Sequence, residues 1–235
     1  MEKDLLNFVE KVKDVLGDNL KSFIVYGSAA TGEHYSTSDY NTLMIVSSLS
    51  VNDMDALSPH VVSWVKKNNP PPLIFTKESL FTSEDVFPME FLDIKDNRMV
   101  VFGEDIFRDL VVPEKNLREE IERELKSKLL RLRQAYILTG GKEQEIIKLM
   151  TDSVSTFTAV LKGLLRLFGE KPPSKKKDII LMVPDKAGIN REFFIKILSV
   201  KESGGKAAKG EALPMFEQYL QEIEKLADYV DKYGG

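Results

Sequence analysis

The spacing of apolar residues changes once along this chain, near Val112-Pro113. Before that point they stand mainly in short runs, which are typical of buried strands bounded by turns. After it they recur about every 3.6 residues, as in amphipathic helices. A chain of 235 residues is long enough to form two hydrophobic cores. We therefore predict an α+β protein, with a mixed-sheet domain at residues 1–112 and an all-α helical bundle at residues 113–235.

The first domain is predicted to begin with a helix. Apolar residues recur at helical spacing over residues 3–16, and Gly17 ends that pattern. A second helix is predicted at residues 53–67. Short runs rich in β-branched and aromatic residues predict five strands. These strands are residues 23–26, 42–46, 73–76, 89–94 and 99–102.

The second domain contains five segments of helical period, separated by Gly- and Pro-containing stretches where helices are expected to end. The predicted helices are residues 115–138, 143–168, 175–183, 190–201 and 212–233. An antiparallel bundle is the simplest way to bury their apolar stripes.

Composition excludes several classes of protein. The chain has no cysteine and two histidines, so disulfides, thiolate catalysis and cysteine-based metal sites are excluded. A metal would bind oxygen ligands, which favours Mg²⁺ or Mn²⁺. No apolar run approaches the ~18 residues that span a bilayer, and Met1-Glu2-Lys3-Asp4 is too acidic for a secretory signal. We expect a cytoplasmic protein without a membrane partner.

Charge is divided unevenly between the two domains. Residues 1–112 hold 10 Lys and Arg against 18 Asp and Glu, and the remainder holds 23 against 19. The acidic part suits cations, and the mildly basic part suits an anionic substrate. The chain has no stripe of interleaved basic and aromatic residues, so a nucleic-acid partner is not predicted.

Candidate functional residues converge between positions 24 and 46. Gly27 ends an apolar strand, and Ser28 begins a turn whose backbone N–H groups are expected to receive phosphate oxygens. Asp39 and Asn41 alternate at the start of the next strand, so their side chains share one face. A metal ion is expected to bridge the phosphate and Asp39.

The segment Gly27-Ser28-Ala29-Ala30-Thr31-Gly32 also begins like a P-loop, with glycines five residues apart. The P-loop motif continues with Lys and then Ser or Thr, whereas this chain continues with Glu33-His34. The lysine and the metal-binding hydroxyl are missing, so we reject the P-loop interpretation.

The whole pattern resembles the nucleotidyltransferase superfamily, which includes the kanamycin, lincosamide and minimal nucleotidyltransferases. That family has an apolar strand, Gly-Ser, a glycine, and then Ser-Asp-x-Asp opening a second strand. Here the matching residues are Gly27-Ser28, Gly32, and Ser38-Asp39-Tyr40-Asn41. The resemblance implies that Gly27 and Ser28 contact the phosphates of a nucleoside triphosphate, and that Asp39 binds Mg²⁺ or Mn²⁺.

The resemblance also implies a third carboxylate on a later strand. The predicted strand at residues 89–94 offers Glu90 and Asp93, which would lie on its opposite faces. Only one of them would then point at Asp39. We favour Glu90, which is closer to the start of that strand, over Asp93.

Position 41 departs from the family pattern, because Asn41 stands where an aspartate is expected. Asn41 keeps the shape of aspartate but replaces a carboxylate with a neutral amide, which is a weaker ligand for a hard dication. In paired-metal transfer such carboxylates bridge the ions that align the attacking and leaving oxygens. We expect metal binding and turnover to be weakened more than nucleotide binding.

The resemblance, together with Asn41, implies three alternative functions. The first is transfer of a nucleoside monophosphate from a triphosphate to a hydroxyl of a small molecule or protein. The second is a non-catalytic descendant that binds a nucleotide or a partner, and the third is one component of a toxin–antitoxin pair. His34 and Tyr35 are candidates for contacts with a base or ribose. A homodimer is possible by analogy with two-domain relatives.

Overall fold

The computed structural model of the chain describes residues 2–30, 39–205 and 207–233. The chain divides into two compact units, Met1–Pro113 and Glu114–Gly235. The first unit contains a mixed sheet with helices, and the second is helical. The predicted α+β architecture is confirmed.

The sheet of the first unit has four strands in the order β3-β2-β1-β4. They are β1 Leu20–Tyr26, β2 Asn41–Val46, β3 Leu73–Thr76 and β4 Arg98–Gly103. The central strand β1 is antiparallel to both β2 and β4, whereas β2 and β3 are parallel. The sheet is therefore mixed, as predicted.

Helices cover both faces of this sheet. Helices α1 Glu2–Leu16 and α2 Val51–Val65 pack on one face, where the buried residues include Phe8, Trp64 and Met44. The opposite face is covered by α3 Lys77–Phe81, α4 Pro88–Asp96 and a short 3₁₀ turn, Ile106–Arg108. Because successive residues of a strand point to opposite faces, each strand contributes to both cores.

The prediction of a strand at residues 89–94 is wrong, because this segment belongs to the helix α4. Pro88 lies in the first turn of α4, where its fixed φ and missing N–H suit a helix. Phe91 and Ile94 are three residues apart and both buried, so they form one helical face against the sheet. Six residues are too few for the apolar spacing to distinguish this pattern from a strand.

The second unit contains five helices near the predicted positions. They are α5 Glu114–Leu138, α6 Glu143–Leu167, α7 Lys176–Met182, α8 Arg191–Glu202 and α9 Ala212–Asp231. Helix α6 packs against each of the other four and forms the centre of the bundle. The Tyr219 hydroxyl is buried there, 3.1 Å from Ser153 Oγ. No helix in the described residues is long and apolar enough to cross a membrane.

Candidate functional site

The chain makes a tight turn directly after β1, at the predicted phosphate-binding residues. Gly27–Ala29 form one 3₁₀ turn, in which the Ala30 N–H donates to the Gly27 carbonyl over 3.0 Å. Gly27 has φ = 78°, a conformation that costs other residues about 1–2 kcal/mol. Its N–H donates to the carbonyl of Asn97 over 2.9 Å. This bond fixes the turn to the end of α4. The backbone N–H of Gly27 already has a partner, so it is not one of the N–H groups that receive phosphate.

Asn41 lies directly beside this turn. It is the first residue of β2 and stands opposite Tyr26, the last residue of β1. A Cβ atom on Gly27 would lie 3.4 Å from Nδ2 of Asn41. The structure therefore brings Gly27 and Asn41 together, and the absence of a side chain at Gly27 leaves room for the Asn41 amide.

Asp39 precedes β2 and its side chain is exposed. The residue that follows it, Tyr40, is buried with Trp64 of α2, at 6.1 Å between ring centroids. The Tyr40 N–H donates to Oδ1 of Asn69 over 3.0 Å, which fixes the backbone at the strand entrance. Because neighbouring residues of an extended chain point in opposite directions, Asp39 and Asn41 are directed away from the face that buries Tyr40.

Glu90 and Asp93 lie on the helix α4, three residues apart, and so are neighbours on its surface. This corrects the expectation that they point to opposite faces of a strand. Asp93 is one turn before Asn97, the residue that contacts Gly27, and the Asn97 N–H donates to the Asp93 carbonyl over 3.1 Å. Glu90 is exposed and lies about 4.5 Å further along the helix axis from that contact.

The predicted metal-ligand residues do not form a cluster in the part of the chain that the structure describes. Within residues 2–30, 39–205 and 207–233, no three His, Asp or Glu side chains are arranged to hold a metal ion. Asp39 and Asn41 provide one carboxylate and one amide oxygen. That donor set fits one divalent cation that also binds phosphate oxygens and water, and it does not fit a pair of ions bridged by two aspartates.

The strand next to β2 presents apolar residues on the face of Asn41. In β3, Leu73 lies beside Leu43 and Phe75 beside Ile45. Side chains two residues apart on β2 share a face, so Leu73 and Phe75 lie on the same side of the sheet as Asn41. No residue of Leu73–Thr76 is acidic. This feature is not predictable from the sequence, because the parallel pairing of β2 with β3 leaves no pattern in it.

A second feature without a pattern in the sequence is an ion pair on the other side of Tyr26. Arg98 of β4 stands opposite Tyr26, and its Nε and Nη2 donate to the two carboxylate oxygens of Asp105 over 2.7 and 2.8 Å. The Arg98 guanidinium holds the pKa of Asp105 below its ordinary value. Burial raises the pKa of Tyr26. Arg98 also donates to the carbonyl of Lys95, which ties the last turn of α4 to the sheet.

Four residues singled out from the sequence, Gly32, His34, Tyr35 and Ser38, lie outside the described residues.

Comparisons with known proteins identify the fold. No family model and no curated protein sequence matches the chain. Among solved structures, it is similar to the crystal structure of spectinomycin adenyltransferase AAD(9) from Enterococcus faecialis with ATP and spectinomycin. The TM-score is 0.56 at 14% identity, over 99% of this chain and 100% of that chain. The chain has a nucleotidyltransferase fold. In this fold the Gly27 turn, Asp39 and Asn41 lie together at one end of the sheet.

Proposed function

We propose that the first unit binds a nucleoside triphosphate with Mg²⁺ or Mn²⁺ and transfers its nucleoside monophosphate to a hydroxyl of a small molecule or protein. Transfer is slow in the natural sequence because Asn41 replaces a carboxylate. The single observation that supports this function is the contact geometry of Gly27 and Asn41 within a nucleotidyltransferase fold. The likeness in fold to an adenyltransferase solved with ATP adds to that support.

In this proposal the turn holds the triphosphate through Ser28 and the surrounding backbone. Gly27 contributes by its shape, because its own N–H bonds to Asn97 and a Cβ there would fill the space beside Asn41, 3.4 Å from Nδ2. Asp39 contributes a carboxylate and Asn41 an amide oxygen to one cation, which enters with the nucleotide. When bound, the cation neutralises phosphate charge and orients the triphosphate.

The third acidic group of this arrangement comes from outside β3. The face of β3 beside Asn41 carries Leu73 and Phe75, so that strand supplies no general base. Asp93 is a better candidate than Glu90, since it lies one turn from the residue that contacts Gly27. A single carboxylate there accepts the proton of the attacking hydroxyl, which has to lie within hydrogen-bond reach of that carboxylate.

A second candidate function is nucleotide binding without transfer. It is favoured by the same two observations, the amide at Asn41 and the absence of an acid from β3. The two functions differ in turnover and agree in binding. One set of variants therefore tests both.

The experiment measures binding and turnover in parallel. Equilibrium dialysis with each labelled nucleoside triphosphate, with and without Mg²⁺ or Mn²⁺, gives affinity. Conversion of the label, with acceptors that include spectinomycin, gives turnover. We expect metal-dependent binding that Asp39→Asn abolishes, and slow turnover that rises at least about tenfold in Asn41→Asp.

Asn69→Asp is the matched control, because it adds the same charge near the β2 entrance. Asn69 accepts a hydrogen bond from the Tyr40 N–H, which aspartate also accepts, and the exchange removes only the long 3.4 Å bond from Nδ2 to the Trp64 carbonyl. Turnover should not change in this variant. Turnover in neither the natural protein nor Asn41→Asp, with binding retained, would support the non-catalytic function. No metal-dependent binding of any triphosphate would refute both.

A further inference from the structure

Two lysine side chains of the second unit donate hydrogen bonds to one hydroxyl. Nζ of Lys176, on α7, and Nζ of Lys201, on α8, each lie 3.0 Å from Oγ of Ser155 on α6. The two nitrogens are therefore separated by at most twice that distance. Among the described residues, no carboxylate lies within 4.0 Å of either ammonium group. The bundle therefore holds two positive charges together, and neither has an ion-pair partner among the described residues.

Hydrogen-bond donors outnumber acceptors at this lysine–serine cluster. A lysine ammonium has three N–H donors and no acceptor, and one donor of each lysine is directed at Ser155. The Ser155 oxygen accepts both bonds, and its own proton has no acceptor among the described contacts. A ligand with several acceptor oxygens and negative charge would satisfy the remaining donors and offset the repulsion between the lysines.

The cluster borders a cavity of about 500 Å³ on the same unit. Lys201 belongs to both, and Lys148, Thr151 and Asp152 of α6 also line the cavity. Lys148 and Thr151 precede Ser155 by seven and four residues, so they share its face of α6. Two ammonium groups face one carboxylate in the lining, and Lys176 adds a further positive charge at its border.

We propose that this cavity and the adjoining lysine–serine cluster bind a phosphoryl group, with Lys201 and Lys148 as cationic contacts in the lining and Lys176 and Ser155 as contacts at its border. A phosphoryl group fits this set because it presents several acceptor oxygens and up to two negative charges to a converging group of donors. The site belongs to the helical unit and does not depend on the function proposed for the Gly27 turn.

Titration calorimetry of the full chain with inorganic pyrophosphate, in metal-free buffer of low ionic strength, tests the site. We expect Lys201→Gln to weaken binding about tenfold, the effect of losing one hydrogen bond to a charged group. Asp152→Asn should strengthen binding, because it removes the one carboxylate of the lining. A general loss of folded structure would weaken binding in both variants. Weaker binding in Lys201→Gln together with stronger binding in Asp152→Asn therefore indicates contacts with the ligand. Circular dichroism verifies that each variant is folded.

Lys171→Gln is the matched control, since Lys171 is exposed, lies in the same unit and is not in the cavity lining. It should leave the affinity unchanged. No pyrophosphate binding, or binding that Lys201→Gln leaves intact, would overturn the proposal. So would equal losses in Lys201→Gln and Lys171→Gln, which indicate general attraction to a basic surface.

Two further sets of titrations define the ligand and the location of the site. Titration with inorganic phosphate and with a nucleoside monophosphate shows whether a free anion or a phosphate ester binds more tightly. The same pyrophosphate titration in Gly27→Ala shows whether the turn of the first unit takes part. Affinity equal to the natural protein supports a separate site, and its loss in Gly27→Ala would overturn the assignment to the helical unit.

Discussion

Replacing Gly27 with alanine should weaken nucleotide binding at a small cost in stability. Gly27 has φ = 78°, and a left-handed conformation costs a residue with a Cβ about 1–2 kcal/mol. The new Cβ would lie 3.4 Å from Nδ2 of Asn41, which is an ordinary contact distance. The contact adds little strain to the folded chain, so we expect the free energy of unfolding to fall by about 1–2 kcal/mol.

The free-energy effect on nucleotide binding should be at least comparable to the loss of stability. The added methyl group occupies the space between the turn and the Asn41 amide, where we place the phosphates and the cation. We expect the affinity for a nucleoside triphosphate with Mg²⁺ to fall at least about tenfold, which corresponds to about 1.4 kcal/mol. Calorimetric titration gives the affinity, and urea unfolding followed by circular dichroism gives the stability.

Gly17→Ala is the control for backbone strain. Gly17 also has a positive φ of 50°, and a Cβ there would meet nothing within 4 Å. The two variants should therefore lose similar stability, and only Gly27→Ala should lose affinity. Nucleotide binding by Gly27→Ala at the natural affinity would refute our account of the turn.

Three further exchanges test the fold, two in the first unit and one in the helical bundle. In Gly103→Ala a Cβ would lie 1.9 Å from the Lys21 carbonyl oxygen, so we expect a loss of more than about 3 kcal/mol in urea unfolding; a loss no larger than that of Gly17→Ala would contradict the geometry. Arg98 lowers the pKa of Asp105, so the stability from this pair is present above the unfolded pKa of about 4 and is lost as pH falls through the folded value. Asp105→Asn should reduce stability at neutral pH and flatten the acid limb of a stability–pH curve, and an unchanged curve would contradict the pair's role. Burial raises the pKa of Tyr219, so its stabilising effect is present below about pH 10 and is lost as pH rises above it. Tyr219→Phe should lose about 1 kcal/mol at neutral pH, where the hydrogen bond to Ser153 is removed, and should resist unfolding by alkali better than the natural protein.

Much of the fold was predictable because the helices and central strands have clear spacing and clear ends. The helix predicted at residues 3–16 corresponds to Glu2–Leu16, and the apolar run before Gly27 lies in Leu20–Tyr26. In the second unit, the Gly and Pro residues between the helices separate long segments whose spacing allows only a helix.

The segment at residues 89–94 was not predictable in the same way. Phe91 and Ile94 are compatible with both a strand and a helix, and the contacts of this segment with the opposite side of the sheet select the helix. The third carboxylate was inferred from that strand, so the change to a helix also changed the choice between Glu90 and Asp93. A short segment takes its structure from tertiary packing more than from its own spacing.

Contacts between candidate-site residues that are close in sequence were easier to predict than contacts between distant residues. Asn41 was expected to face the Gly27 turn on condition that their two strands are neighbours, and β1 and β2 do pair. The bond from Gly27 to Asn97 was not expected, nor was the meeting of Lys176 and Lys201 at Ser155. Such contacts depend on how helices pack, and their residues leave no local pattern in the sequence.

The most direct test of the central claim is the release of pyrophosphate at saturating nucleoside triphosphate, Mg²⁺ and acceptor hydroxyl, compared between the natural protein and Asn41→Asp. At saturation the rate reports the transfer step and does not depend on affinity. Our account predicts slow release from the natural protein and release at least about tenfold faster from Asn41→Asp. Equal rates for the two proteins, both above the rate without protein, would contradict the claim that Asn41 limits transfer.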